Sequence, residues 1–196
     1  MKEMLIILLS VVLIDNLVLS RFLGVCSFLG LTKDLKNAMG MSVAVIFVMI
    51  VATGITYPIY WSILEPINLG YLQTVVFILV IAAVVQVLEA IIRKAFPPLY
   101  KAMGIYLPLI TTNCAILGVM LINIQEIYNF GSAMMSSFGA GVGYMLAMFL
   151  FTGVREKMEK ADIPEFMQGL PITLMAASVV SVSFMGFKGV IENLFG

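Results

Sequence analysis

Cys26 and Cys114 carry the only two thiols in a chain of 196 residues that has no histidine. The missing imidazole removes haem–His and zinc–His ligation and the commonest general acid–base group. Two thiols cannot build a disulfide scaffold, and alone they cannot complete a four-thiolate metal site. A single buried cysteine is ordinarily a small apolar filler. The pair reads differently because the surroundings recur: Cys26-Ser27-Phe28-Leu29-Gly30 aligns with Cys114-Ala115-Ile116-Leu117-Gly118 as Cys-x-x-Leu-Gly. Brought together, the two thiolates would serve one metal centre, and soft thiolates select iron–sulfur, zinc or copper(I). An iron–sulfur cluster commonly takes four cysteines. A [2Fe–2S] cluster completed by a second subunit is therefore the economical arrangement. No nucleophile–base constellation is visible, and the carboxylates within apolar runs are isolated, which argues against an enzyme acting alone.

The elements that must position these thiols belong to a membrane. Hydrophobic residues make up 62% of the chain and charged residues 11%, against roughly 45–50% and about 25% in a soluble domain. Net charge is zero and the basic residues sit in short clusters, leaving no basic face for nucleic acid. A spanning helix needs about 20 apolar residues. Six runs meet that need: Met4 to Leu31, Ala38 to Leu64, Tyr71 to Ile92, Ala102 to Ile122, Phe130 to Val154 and Leu170 to Phe187. The predicted fold is all-α and integral to the membrane, a single domain of two three-helix halves (1–98 and 99–196). The first run is long, carries Asp15 and Arg21 and lacks a small-residue cleavage site, so it is not read as a cleaved signal peptide.

Charge fixes an expected orientation. The first, third and fifth loops hold Lys33, Lys36, Arg93, Lys94, Lys101, Arg155, Lys157 and Lys160, whereas the other side has only Lys2 and Lys188. By the positive-inside rule the basic loops face the cytoplasm and both termini face outward. An odd number of spans per half makes the halves inverted, and matched, interrupted helices in inverted repeats point to a midplane site. The first run would be about 42 Å long as one helix, so it should tilt or break, with Asp15, Asn16, Ser20, Arg21 and Gly24 as the places. The fourth has Pro108 followed by Thr111-Thr112-Asn113 just before Cys114. A proline-interrupted helix there, its freed backbone groups satisfied by Thr and Asn, is the matching break.

Other polar residues are weighed more simply. Asp15 lies mid-span and is by default a functional candidate, with pairing to Arg21 or capping of a broken helix as the favoured structural role. Glu89 and Arg93, four apart, are expected on one face with Gln86 near the cytoplasmic end. Gly139-Ala140-Gly141-Val142-Gly143 lies inside a span and is expected to permit close helix packing. The 15 Met are read as packing, and Tyr57, Tyr60, Trp61 and Tyr71 as an interfacial aromatic belt. A stand-alone inverted-repeat transporter and a redox-inactive scaffold are the competing functional readings.

Val18 to Gly30 (VLSRFLGVCSFLG) and Leu107 to Gly118 (LPLITTNCAILG) resemble the signature segments of the RnfA/NqrE family, membrane subunits of the ion-translocating Rnf and Nqr oxidoreductase complexes. The likeness extends over essentially the whole chain, including Lys36 to Gly40, Phe77 to Arg93 and Ser183 to Phe187, and leans toward the Rnf side. It implies six spans with termini outward in a bacterial or archaeal cytoplasmic membrane, and a homologous partner subunit (RnfE-like) of opposite orientation. It also implies a [2Fe–2S] cluster near the midplane with Cys26 and Cys114 as this chain's two ligands. In the Rnf complex electrons pass between ferredoxin and NAD⁺, coupled to Na⁺ or H⁺ transport. Flavin and NAD sites would belong to other subunits, in keeping with the missing G-x-G-x-x-G fingerprint. Ser27, Thr111, Thr112 and Asn113 are candidate donors to the cluster sulfurs, with satisfaction of freed backbone groups as their alternative role.

Overall fold

A computed structural model describes residues 8, 10–14, 16–26, 35–66, 70–95, 107–159, 164 and 168–195. Among these there is no strand. A π-helical segment, Ser10–Ile14, belongs to the first run. Helix α1 (Leu35–Ile59) continues into a π-helical turn, Tyr60–Leu64. A 3₁₀ turn, Gly70–Leu72, leads into α2 (Gln73–Ala95). The fourth run is split into α3 (Leu107–Thr111) and α4 (Cys114–Gln125). Helices α5 (Phe130–Glu159) and α6 (Leu170–Phe195) complete the chain. Ala38–Leu64, Gln73–Ile91 and Phe130–Met158 are each long and apolar enough to cross a membrane, and Leu109–Gln125 and Leu170–Gly186 are shorter apolar helices. Helix α6 runs beyond the expected end at Phe187, because neither Gly186 nor Gly189 interrupts its backbone. The π turn follows Pro58, whose missing N–H loosens the ladder, and Glu65 N–H donates to Tyr60 O at 3.0 Å.

Without a hydrophobic drive between helices in lipid, close backbone approach and polar contacts hold a bundle together. Helix α5 is built for this. Gly139 and Gly143 lie one turn apart, and a Cβ there would stand 3.4 Å from Leu8 O and from Val12 Cα, respectively. On the opposite face, a Cβ at Gly141 would stand 2.7 Å from Ile46 Cγ1 and 3.2 Å from Ile46 Cα. The glycine-rich stretch thus receives the first run on one side and α1 on the other, as expected from sequence. Helix α1 packs most extensively on α5, around Met41, Val45, Val48, Tyr144, Met148 and Phe151.

Polar residues pin the same helices. Thr53 Oγ1 and Ser137 Oγ are 2.7 Å apart, and Asn123 Nδ2 donates to Ser137 Oγ (3.0 Å) and Ala133 O (3.3 Å). Tyr57 OH donates to Tyr128 O at 3.0 Å. Tyr57 also meets Phe130 edge-on and Trp61 at a tilt, while Tyr60 meets Trp61 and Phe77 edge-on. The aromatic belt is therefore a packed ring cluster, with Tyr71 exposed beside it.

These contacts give a direct test of packing. Gly141→Ala forces a Cβ against Ile46 and should destabilise the protein by about 1–3 kcal/mol. Gly54→Ala, with nothing within 4 Å of the new Cβ, should be neutral or slightly stabilising. Unfolding of the purified protein in detergent, followed by circular dichroism, measures both.

Candidate metal centre

The first run breaks where its polar residues cluster. Helical geometry stops at Ile14 and resumes at Val25–Cys26, with turns between. Asn16, almost fully buried, holds the gap. Its Oδ1 accepts from Val18 N (3.1 Å) and Leu19 N (3.4 Å), and its Nδ2 donates to Val12 O (3.2 Å) and to Gly143 O on α5 (2.8 Å). Ser20 N–H donates to Asn16 O, Leu23 N–H donates to Leu17 O, and Ser181 Oγ of α6 donates to Leu19 O. Backbone groups that a continuous helix would have paired thus find partners inside the protein, as hydrocarbon surroundings require.

The second break lies at Thr112–Asn113, four residues beyond Pro108. Proline stands in the first turn of α3, where its missing donor is tolerated, so the interruption belongs to the asparagine. Asn113 is extended (φ −72°, ψ 112°), and its Oδ1 caps α4 by accepting from Ala115 N at 3.0 Å. Its carbonyl accepts from Ile116 N (3.2 Å). This is the backbone-satisfying role weighed from sequence. Thr111 is half-buried and Thr112 exposed. Ser27 and Asp15 lie outside the described residues.

The two breaks are fitted to each other. Gly24 has φ +87°, and a Cβ there would stand 3.1 Å from Ala115 Cβ, 3.2 Å from Tyr144 Cε2 and 3.4 Å from Asn113 Oδ1. One step along, Leu23 fills the space over Gly118. Cys26 Sγ and Cys114 Sγ are 3.9 Å apart. Residue numbers fall along one segment as they rise along the other, so the segments cross antiparallel. Cys114 opens α4, and the helix ends eleven residues later at Gln125, a rise of about 17 Å. That is roughly half of a 30 Å hydrocarbon core.

The sulfur spacing suits a metal. Two thiolates bound at about 2.3 Å to one tetrahedral centre lie about 3.8 Å apart, close to the 3.9 Å found here. A disulfide would need about 2.05 Å, and the two cysteines are not so joined. Both are also exposed on the surface of this chain. Among the described residues no group of three or more His, Cys, Asp or Glu could hold a metal ion. Any further ligands therefore approach from outside this pair. Cys114 stands at the first position of α4, where the partial positive charge of a helix N-terminus favours an anionic group brought beside it.

Other residues singled out from sequence lie elsewhere. Gln86, Glu89 and Arg93 line one shallow groove of α2 with Ala90 and Lys94, at the end of the span as expected. Arg21, exposed and only five residues from Cys26, lines a cavity between the first run, α4 and α5. Sequence patterns did not single out Tyr144, whose ring packs over Gly24, or Glu126, on the wall of that cavity. The glycine-rich stretch that leads into Tyr144 was the available signal for the first.

Comparison with known proteins identifies the family. Residues 4–191 match the Rnf-Nqr family, described as "Rnf-Nqr subunit, membrane protein". The chain is 52% identical over 183 residues (93% of this chain, 95% of the relative) to a subunit of the Na(+)-translocating ferredoxin:NAD(+) oxidoreductase complex of Acetobacterium woodii. It is 48% identical over 193 residues (98% and 100%) to a subunit of the ion-translocating oxidoreductase complex of Syntrophotalea carbinolica. The counterpart of the same description from Aeromonas salmonicida is 47% identical over 192 residues (98% and 100%).

The fitted breaks predict how the thiol pair fails. Gly24→Ala combines an unfavourable left-handed backbone with three close contacts and should cost about 1–3 kcal/mol. Asn113→Ala removes the cap of α4, at about 1 kcal/mol, while Asn113→Asp keeps the accepting oxygen. Cd²⁺ uptake by the purified protein, read by thiolate-to-metal ultraviolet absorption, should weaken about tenfold in Gly24→Ala.

Proposed function

We propose, from the premise that this chain belongs to the Rnf-Nqr family of membrane-protein subunits, that it works within an ion-translocating oxidoreductase complex and supplies half the ligands of an intramembrane [2Fe–2S] cluster. Cys26 and Cys114 would be the two ligands, and a homologous subunit of opposite orientation would bring the other two. The observation that carries the reading is a pair of thiols 3.9 Å apart, both exposed at the surface of this chain. When bound, such a cluster supplies reversible one-electron storage in a region where no protein side chain of this chain could.

The chain's own residues do the positioning. Gly24 lets the first segment lie against Ala115 and Tyr144, which sets Cys26 beside Cys114. Asn113 fixes the start of α4 and so the direction of the Cys114 side chain. The N-terminal dipole of α4 offsets part of the negative charge that the thiolates bring into a low-dielectric region. Thr111 and Thr112 stand within a few residues of Cys114 and, with Ser27, are the candidate hydroxyl groups for tuning sulfur basicity. In this reading the basic loops face the cytoplasm and both termini face outward, and electron transfer between ferredoxin and NAD⁺ is coupled to Na⁺ or H⁺ movement.

Substituting the ligands decides the matter. In the assembled complex, Cys26→Ser and Cys114→Ser should each remove the electron paramagnetic resonance signal of one [2Fe–2S] cluster. Ferredoxin-driven reduction of NAD⁺ should fall by at least about tenfold. A complex that keeps the signal and the electron flow with either cysteine replaced overturns the assignment.

A further inference from the structure

The cavity beside the first break is polar, although it lies among membrane-spanning helices. Its volume is about 230 Å³, room for several waters at about 30 Å³ each. Ser10, Arg21, Glu126, Tyr128 and Ser136 line it together with apolar residues of the first run, α4 and α5. Along α4 the lining residues are Val119, Ile122 and Glu126, spaced as one helical face that rises to the end of the helix. Glu126 is therefore at the mouth. Leu23 lies over Gly118 and Cys26 beside Cys114, so Arg21, exposed like Glu126, lies nearer the thiol pair than Glu126 does.

Two charges of opposite sign face this one space, and among the described residues neither Arg21 nor Glu126 makes an ion pair. Opposite charges held apart in an intramembrane cavity need a polar filling, because unpaired charges are costly in hydrocarbon. Behind the wall, Asn123 Oδ1 is buried without a hydrogen-bond partner. It follows Ile122, a lining residue, and its amide holds Ser137, the neighbour of Ser136. It is an unsatisfied acceptor one residue behind the lining.

We infer that this cavity is an aqueous vestibule for the transported monovalent cation, opening at the face of the membrane where α4 ends. Glu126 collects the cation at the mouth. Ser10, Ser136 and the Tyr128 segment supply neutral oxygens along the wall, and Arg21, on the side nearer the thiol pair, is the positive barrier to uncontrolled passage. The inference rests on the proposed ion-translocating function, but not on the identity of the cysteine-bound group.

The test uses the assembled complex in sealed vesicles, with Na⁺ uptake and an entrapped pH dye followed in parallel so that the two cations are separated. Ser136→Cys should react with a membrane-impermeant methanethiosulfonate from one face only. The modified complex should lose at least about fivefold of its cation transport while the cluster's spectroscopic signal stays intact. Ser10→Cys, on the wall formed by the first run and only half-buried, is the second position should the first fail to assemble. Glu126→Gln should raise the cation concentration for half-maximal transport about threefold with the maximal rate retained. Arg21→Gln should increase passive cation leak without electron flow. The vestibule is overturned if both cysteine variants are unreactive from either face, if modification leaves transport unchanged, or if Glu126→Gln leaves the cation dependence unmoved. A cluster signal that survives loss of Cys26 or Cys114 would instead sink the ligand assignment while leaving these labelling results standing.

Discussion

A helix that stops inside a bilayer leaves backbone N–H and C=O groups with no water to turn to, and each orphan costs several kcal/mol. The two breaks in this chain exist only because that constraint is met from within. Asn16 engages four backbone groups of three separate segments: Val12, the pair Val18 and Leu19, and Gly143 of α5. Asn113 does the shorter task of capping α4. A short amide side chain suits both places, because it accepts locally like a turn and still donates outward. Everything proposed for the thiols depends on these breaks, since an unbroken helix would not present Cys26 and Cys114 at two facing helix starts.

Close packing then sets the distance between the sulfurs. The small residues Gly24, Ala115 and Gly118 let two backbones approach until Leu23 and Tyr144 fill the remaining space. Such contacts are stiff: a single methyl group at Gly24 would meet three neighbours within 3.4 Å. Stiffness matters for a ligand pair, because a metal–thiolate geometry tolerates errors of only about 0.2 Å in bond length. The same logic operates on α5, whose glycines draw the first run and α1 together and so hold the Asn16 turn against Gly143.

Much of this was legible in the sequence, for physical reasons. Membrane class and span positions follow from run length and composition. The first break follows from a run too long for the membrane with Asn16 and Gly24 inside it, and the glycine-rich stretch announced close packing at Gly139, Gly141 and Gly143. What was not legible depended on three-dimensional meeting. Pro108 is the strongest local breaker in the fourth run, yet the helix parts at Asn113, since proline in a first turn costs little and an asparagine with extended backbone ends one helix and starts another. Tyr144 looks like any apolar-run aromatic until Gly24 is found beneath its ring. Arg21 was weighed only against Asp15, nearby in sequence, whereas it lines a cavity shared with Glu126, 105 positions away in the chain.

The exposure of the thiols is what the proposed partner subunit would answer. A buried cysteine pair could be a packing detail of one chain, but these two lie at the surface, at a depth where the surroundings would be hydrocarbon. Thiolates facing lipid would be as costly as any unpaired intramembrane charge, whereas neutral thiols at 3.9 Å are joined only by a weak S–H···S contact. Thr112 is exposed beside them, adding a polar group to the same patch. A surface that is polar, metal-ready and embedded in the membrane is stable only when covered. A second protein bringing complementary ligands removes both costs at once: it excludes lipid from the thiolates and supplies the positive centre that balances them.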